Sequence, residues 1–178
     1  GKGITFDSGG LNVKVSNGMD GMHLDMSGGA AVMSTVALAA KLGLKQNVVG
    51  LVAAAENMIS GDSFRPGDVL TSMSGKTIEV LNTDAEGRVV LADALTYART
   101  YKPALVADVA TLTGAALVAL GQRTSAIMTK DPTLQDLFVE MGELSGDYVW
   151  PLPLWEEYEE EVKGRRGDVT NLHHRGCL

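Results

Sequence analysis

The sequence predicts an α/β fold, with a central, mainly parallel or mixed β-sheet flanked by helices on both faces. Three observations predict it. Two continuous apolar runs of strand length, 47–55 and 104–110, suit interior strands covered on both sides. Helix-like runs at 30–42 and 89–98 alternate with them. Strands alternating with helices are the pattern of a parallel sheet with crossover helices. At 178 residues the chain is long enough for one domain with a substantial core.

The elements follow in order. A short strand opens the chain, carries Lys2 and ends at Asp7. Ser8-Gly9-Gly10 then turns, because paired glycines permit positive φ, and Lys14 lies in an extended segment beyond it. Met19-Asp20-Gly21-Met22-His23-Leu24-Asp25 leads through Ser27-Gly28-Gly29 into the Ala-rich helix at 30–42, whose small residues allow close packing on a sheet. The run 47–55 ends at Glu56-Asn57-Met58. Pro66-Gly67-Asp68 marks a turn, and 69–73 and 77–81 flank Ser74-Gly75-Lys76 as a hairpin. The next helix reaches Tyr101 and stops at Lys102-Pro103. The run 104–110 ends in the polar turn Thr111-Leu112-Thr113-Gly114. A short helix at 115–120, a strand at 125–129, a helix at 132–144 with Pro132 in its first turn, extended Trp150-Pro151-Leu152-Pro153 and an acidic helix at 156–162 complete the pattern.

Composition narrows the function. Net charge is −7, and the only short basic cluster is Lys163, Arg165 and Arg166, so nucleic-acid binding is not indicated. One cysteine, Cys177, rules out an internal disulfide framework and fits a reducing compartment. No apolar run is long enough to span a bilayer. The chain enters Ile4-Thr5-Phe6 directly and stops at Gly176-Cys177-Leu178, so it reads as a piece of a larger protein.

The chemistry centres on Asn82-Thr83-Asp84-Ala85-Glu86-Gly87-Arg88, at a strand-to-helix junction, where α/β proteins tend to place ligands. Alone, it reads as an ordinary polar loop with a helix-start carboxylate. Asp7, Asp25, Asp84 and Glu86 come from three separate segments. If the fold gathers them on one sheet edge, two divalent cations would balance their charge. Lys2 could ligate only as a free amine, which two nearby dications favour. Lys14 and Arg88 would stay charged and suit an oxyanion or small anion. By spacing alone, metal-assisted hydrolysis is one possibility among others. His23 has no second His at ligand spacing and reads as structural or exposed.

The seven-residue motif resembles the signature of the leucyl (cytosol) aminopeptidase family. Agreement extends to Gly1-Lys2-Gly3-Ile4-Thr5-Phe6-Asp7-Ser8-Gly9-Gly10, Met19-Asp20-Gly21-Met22-His23-Leu24-Asp25-Met26, Glu56-Asn57-Met58, Arg65-Pro66-Gly67-Asp68 and Ala110-Thr111-Leu112-Thr113-Gly114-Ala115. The resemblance covers residues 1–172 and implies a partial dinuclear-metal catalytic domain, with two divalent ions, Mn²⁺ or Zn²⁺. It implies Asp7 and Glu86 as bridging ligands, Lys2 and Asp25 on one ion, and Asp84 on the other. It further implies Lys14 and Arg88 as catalytic residues, the latter holding a bicarbonate that acts as general base. Met22, Thr111, Leu112 and Gly114 are implied as substrate contacts for peptides with a free N-terminus and a Leu-like first side chain. The family's homohexamer and cytoplasmic location are implied too. Two departures stand out. His173 and His174 replace a usual Gly-Gly, which makes 173–178 an atypical tail, and these histidines are not read as ligands. A further helix and strand segment of the catalytic domain, and a separate N-terminal domain, are expected outside this chain. Rival readings are a non-catalytic binding or assembly relative, an inactive fragment, and a different two-metal hydrolase such as a phosphatase, a class usually richer in His than this chain with its three.

Overall fold

The computed structural model describes residues 1–174. In chain order its strands and α-helices are β1 (Lys2–Asp7), α1 (Ser27–Lys41), β2 (Ala53–Asn57), β3 (Val69–Thr71), β4 (Thr77–Glu79), α2 (Glu86–Ala98), α3 (Gly114–Leu120), β5 (Thr124–Ile127), α4 (Pro132–Ser145), β6 (Tyr148–Pro151), α5 (Glu157–Glu161) and β7 (Val169–Thr170). The chain divides into two compact units: Gly1–Leu112 together with the segment from Val162 onward, and Thr113–Glu161. The α/β class holds, with strand pairing spread over three small sheets, β1-β2, β3-β4-β7 and β5-β6.

In the first unit β1 and β2 run parallel, and α1 lies between them in sequence. Parallel neighbours cannot be joined by a tight turn, so a helix supplies the return path. Ile4 pairs with Ala55 but Asp7 with Asn57, three steps on one strand against two on the other. β1 therefore carries one extra residue, a bulge. β3 and β4 form the expected antiparallel hairpin around Gly75, and β7 adds to β4 in parallel. Buried Glu79, at the end of β4, accepts the backbone N–H groups of Arg165 (2.8 Å) and Arg166 (3.0 Å). Those two bonds hold its carboxyl below the usual range.

The second unit is a β5-α4-β6 crossover with parallel strands, preceded by α3 and followed by α5. Asp131 caps α4 by accepting the N–H groups of Thr133 and Leu134, Pro132 occupies the first turn, and Gly146 closes the helix at φ 78°. Thr113 caps α3 through the N–H of Ala115.

Two expected strands change. The run 47–55 forms a ladder only from Ala53, and residues 104–110 form none, although both have strand-like composition. A strand requires a partner as well as a propensity. The backbone beyond residue 104 meets β1 through the bond from Lys2 N to Val109 O (3.0 Å), and one bond is not a ladder. Leu105, Val106 and Val109 stay exposed. Among the described residues, buried polar side chains outnumber buried apolar ones ten to six, so the interior of the first unit is organised by a polar network. No helix among the described residues is long and apolar enough to cross a membrane.

Candidate metal and substrate site

β1 delivers two charged side chains to one place. In an unbroken strand, residues five apart face opposite sides. The bulge returns Asp7 to the face of Lys2, since their partners Asn57 and Ala53 are an even number apart. Both then reach the motif at the start of α2. Lys2 Nζ lies 2.9 Å from Glu86 Oε1. Asp7, Asp84 and Glu86 each offer a carboxylate oxygen, and these oxygens lie within 4.8 Å of one another.

The Lys2 end is closely packed. Its Nζ bonds Asp25 Oδ1 and the Thr111 carbonyl, both at 3.0 Å, and sits 2.8 Å from Asp25 Oδ2. The Thr111 hydroxyl donates to Asp25 Oδ1 at 2.8 Å. Gly87 is required beside it, because a Cβ there would stand 2.5 Å from Lys2 Cε. Glu86 is the first residue of α2, where the helix dipole favours an anion. Burial nevertheless pushes its carboxyl up, against the opposing pull of Lys2.

At the other end, Lys14 joins two acids. Its Nζ is 3.0 Å from Asp7 Oδ2 and 2.5 Å from Asp84 Oδ1. Burial opposes the charge of Lys14, but the bonds to Asp84 and Asp7 outweigh it and raise the ammonium pKa. Asp7 resists desolvation through bonds from Lys14, the Gly9 N–H (2.9 Å) and Asn57 Nδ2 (2.8 Å), which together hold its carboxyl low. Asp84 has fewer donors; burial raises its carboxyl despite Lys14, and nearby Asp7 adds to the rise. Two neighbouring carboxylates are thus driven in opposite directions by their surroundings.

The motif loop is held by amides and hydroxyls. The fully buried Thr83 hydroxyl donates to Gly9 O (2.6 Å), and Thr83 N donates to Asn12 Oδ1 (2.9 Å). Gly10, at φ 63°, is needed opposite, since a Cβ would stand 2.9 Å from both Thr83 Oγ1 and Asn57 Oδ1. Asn171 accepts from Leu81 N (2.8 Å) and donates to Asn82 O (2.6 Å) and Ala85 O (3.2 Å). None of Asn57, Thr83 and Asn171 was assigned a role from sequence. The signal for Asn57 was a lone amide ending an apolar run; a polar residue there needs buried partners.

The structure thus brings Lys2, Asp7, Lys14, Asp25, Asp84 and Glu86 into contact, with Thr111 at the edge. Arg88 follows on α2, and its buried Nε has no hydrogen-bond partner among the described residues. Met22 is half-buried in a short 3-10 turn, Leu112 is exposed, and Gly114 starts α3 in the second unit. His23 is exposed and stacks edge-on against Phe6. His174 bonds the Lys163 carbonyl, and Cys177 lies outside the described residues.

The model of the cytosol aminopeptidase family, catalytic domain, matches residues 1–177. The chain belongs to this family. It is 52% identical over 178 residues to a probable cytosol aminopeptidase of Chlorobium limicola, covering 99% of this chain and 35% of that protein. A probable cytosol aminopeptidase of Azotobacter vinelandii is 54% identical over 172 residues, covering 97% of this chain and 35% of that protein. One of Geobacter sulfurreducens is 53% identical over 180 residues, covering 100% and 36%. The chain therefore spans about a third of the length of these relatives.

The donor set of this family member fits divalent cations. Asp25 Oδ2, Asp84 Oδ1 and Glu86 Oε1 are buried, each with a lysine ammonium as its close polar neighbour, and carboxylate oxygens suit hard dications.

Proposed function

We propose that the complete protein is a two-metal aminopeptidase that removes N-terminal residues, with a preference for Leu-like side chains. One observation carries this reading: in a chain of this family, the oxygens of Asp7, Asp84 and Glu86 cluster within 4.8 Å, with Lys2 and Asp25 bound to Glu86's side of the group. In this assignment Asp7 and Glu86 would help hold both ions, Lys2 and Asp25 would help hold one, and Asp84 would help hold the other. When bound, Mn²⁺ or Zn²⁺ supplies Lewis-acid activation of water and of the peptide carbonyl.

The chain's own residues do the rest. Lys14 lies between Asp7 and Asp84, so its ammonium is close to where a carbonyl oxygen gains negative charge, and it stabilises that oxygen. Arg88 presents a buried, unpaired Nε–H, and its planar fork suits a carboxylate-like anion such as the bicarbonate expected as general base. Met22, Thr111, Leu112 and Gly114 are assigned to the first residue of the substrate. A hydrophobic pocket separates aliphatics that differ by one methylene by only about 10–200-fold, so a preference rather than strict selectivity follows. A free α-amine marks the substrate as a peptide terminus. The proposal places the protein in the cytoplasm as a homohexamer.

Hydrolysis of leucine p-nitroanilide with added Mn²⁺ tests this. Activity should disappear with chelator and fall by about 10²–10³-fold in Arg88→Ala, as for loss of an oriented electrostatic group. Turnover that survives both controls overturns the mechanism. Comparison with the protein extended to the length of its relatives separates a chain that is inactive alone from a family member that is inactive altogether.

A further inference from the structure

We infer that Asn57 is a positioning residue that fixes Asp7 and Glu86 relative to each other. The inference rests on the metal-site reading above and adds to it a residue that is not itself a ligand.

Asn57 ends β2 directly opposite Asp7, just past the bulge in β1. It is 4% exposed. Its Nδ2 faces three oxygens: Asp7 Oδ1 at 2.8 Å, the Thr83 carbonyl at 3.0 Å and Glu86 Oε2 at 3.3 Å. One amide therefore touches β1, the motif loop and the first residue of α2. All three neighbours are acceptors, so the NH₂ and not the carbonyl must face them. Two protons serve three oxygens, and the longest contact, to Glu86, shares a proton with one of the others.

The backbone of Asn57 is tied to the same turn. Its carbonyl accepts both the Ser8 N–H (2.9 Å) and the Ser8 hydroxyl (2.7 Å). The residue is thus anchored beside the turn that follows Asp7, and the contacts of Nδ2 orient its amide.

Chemistry explains the residue type. An aspartate here would add a fifth carboxylate to Asp7, Asp25, Asp84 and Glu86. A lysine or arginine would bring a positive charge against incoming cations. A neutral amide donates to both carboxylates without changing the charge of the group, and leaves their remaining lone pairs for metal. Groups that orient metal ligands through hydrogen bonds typically change metal affinity by about 10–100-fold when removed.

The test is Mn²⁺ binding to the protein extended to the length of its relatives, by calorimetry, with electron paramagnetic resonance to read coupling between two ions. Asn57→Leu keeps the number of side-chain heavy atoms and removes the donors; Asn57→Ala removes them with the side chain, and neither adds charge. Both variants should bind Mn²⁺ about 10–100-fold more weakly and lose the spin-coupled signal while melting as cooperatively as the parent. Parent-like affinity and coupling in a folded variant overturn the inference alone. Failure of the unsubstituted full-length protein to bind Mn²⁺ overturns the metal-site reading and this inference with it. A measurement on the unsubstituted chain decides the matter even if both variants fail to fold. The Asn57 side-chain NH₂ should be slow to exchange with solvent by NMR and shift on addition of diamagnetic Zn²⁺. Fast exchange, or no shift while Zn²⁺ binds, overturns the inference.

Discussion

Residues 2–7 and 104–110 meet through the bond from Lys2 N to Val109 O, yet Lys2 and Leu105 are buried in the opposite sense to their chemistry. Lys2 is 4% exposed, and Leu105 is 53% exposed. The charged side chain has Asp25, Glu86 and the Thr111 carbonyl around it. The apolar one has no strand beside it in a ladder. Burial is decided by what lies against a group, and a polar group with a full set of partners can be enclosed where an apolar group without neighbours is not.

That contrast can be broken most directly at Lys2. Lys2→Met leaves Asp25 and Glu86 buried without their cation, and removal of one partner from a buried pair costs about 3–5 kcal/mol. Urea unfolding should show that loss; a change below about 1 kcal/mol would mean the network does not support the fold. Gly87→Ala comes next. Its new Cβ collides with Lys2 Cε, and overpacking of this kind costs about 1–3 kcal/mol. Its urea midpoint should fall between those of Lys2→Met and the parent.

Glu79 sharpens the comparison through pH. Its folded carboxyl is depressed by the N–H groups of Arg166 and Arg165. The stability this contributes is complete above the unfolded carboxylate range and is lost as pH falls through the lower, folded value. Asp168, depressed by the backbone N–H and hydroxyl of Thr77, contributes with the same sign. Urea midpoints measured from pH 7 down to 3 should drop less steeply in Glu79→Gln than in the parent, and equal slopes would discount the pair of N–H bonds. The smallest effect belongs to the exposed run. Leu105→Ser should change stability by no more than about 0.5 kcal/mol, and a larger loss in the same assay would show that 104–110 is buried in solution.

These contrasts also mark what the sequence could reveal. The strand ending at Asp7, the hairpin around Gly75 and the helix started by Pro132 were legible, because each carries its own local signal. The acids at element ends were legible as candidates for the same reason: a carboxylate at a strand or helix boundary is visible without its neighbours. The bulge in β1 was not, since register exists only relative to β2. Nor was β7, two residues long, which is a strand only because β4 lies beside it. Asn57 and Asn171 were invisible as functional candidates because a single amide has no motif, and its value lies in the acceptors the fold brings to it. The run 104–110 failed for the mirror reason, being apolar and extended with no ladder to join.

Asn171 has a consequence in the time domain. Its amide closes on Asn82 from 89 positions further along the chain. A ribosome delivers the motif first and the clamp much later, so during synthesis Leu81, Asn82 and Ala85 must wait with their backbone groups turned to water. Contacts this distant in sequence form late, after the loop between them has closed. The acidic loop is therefore made well before the residue that locks it.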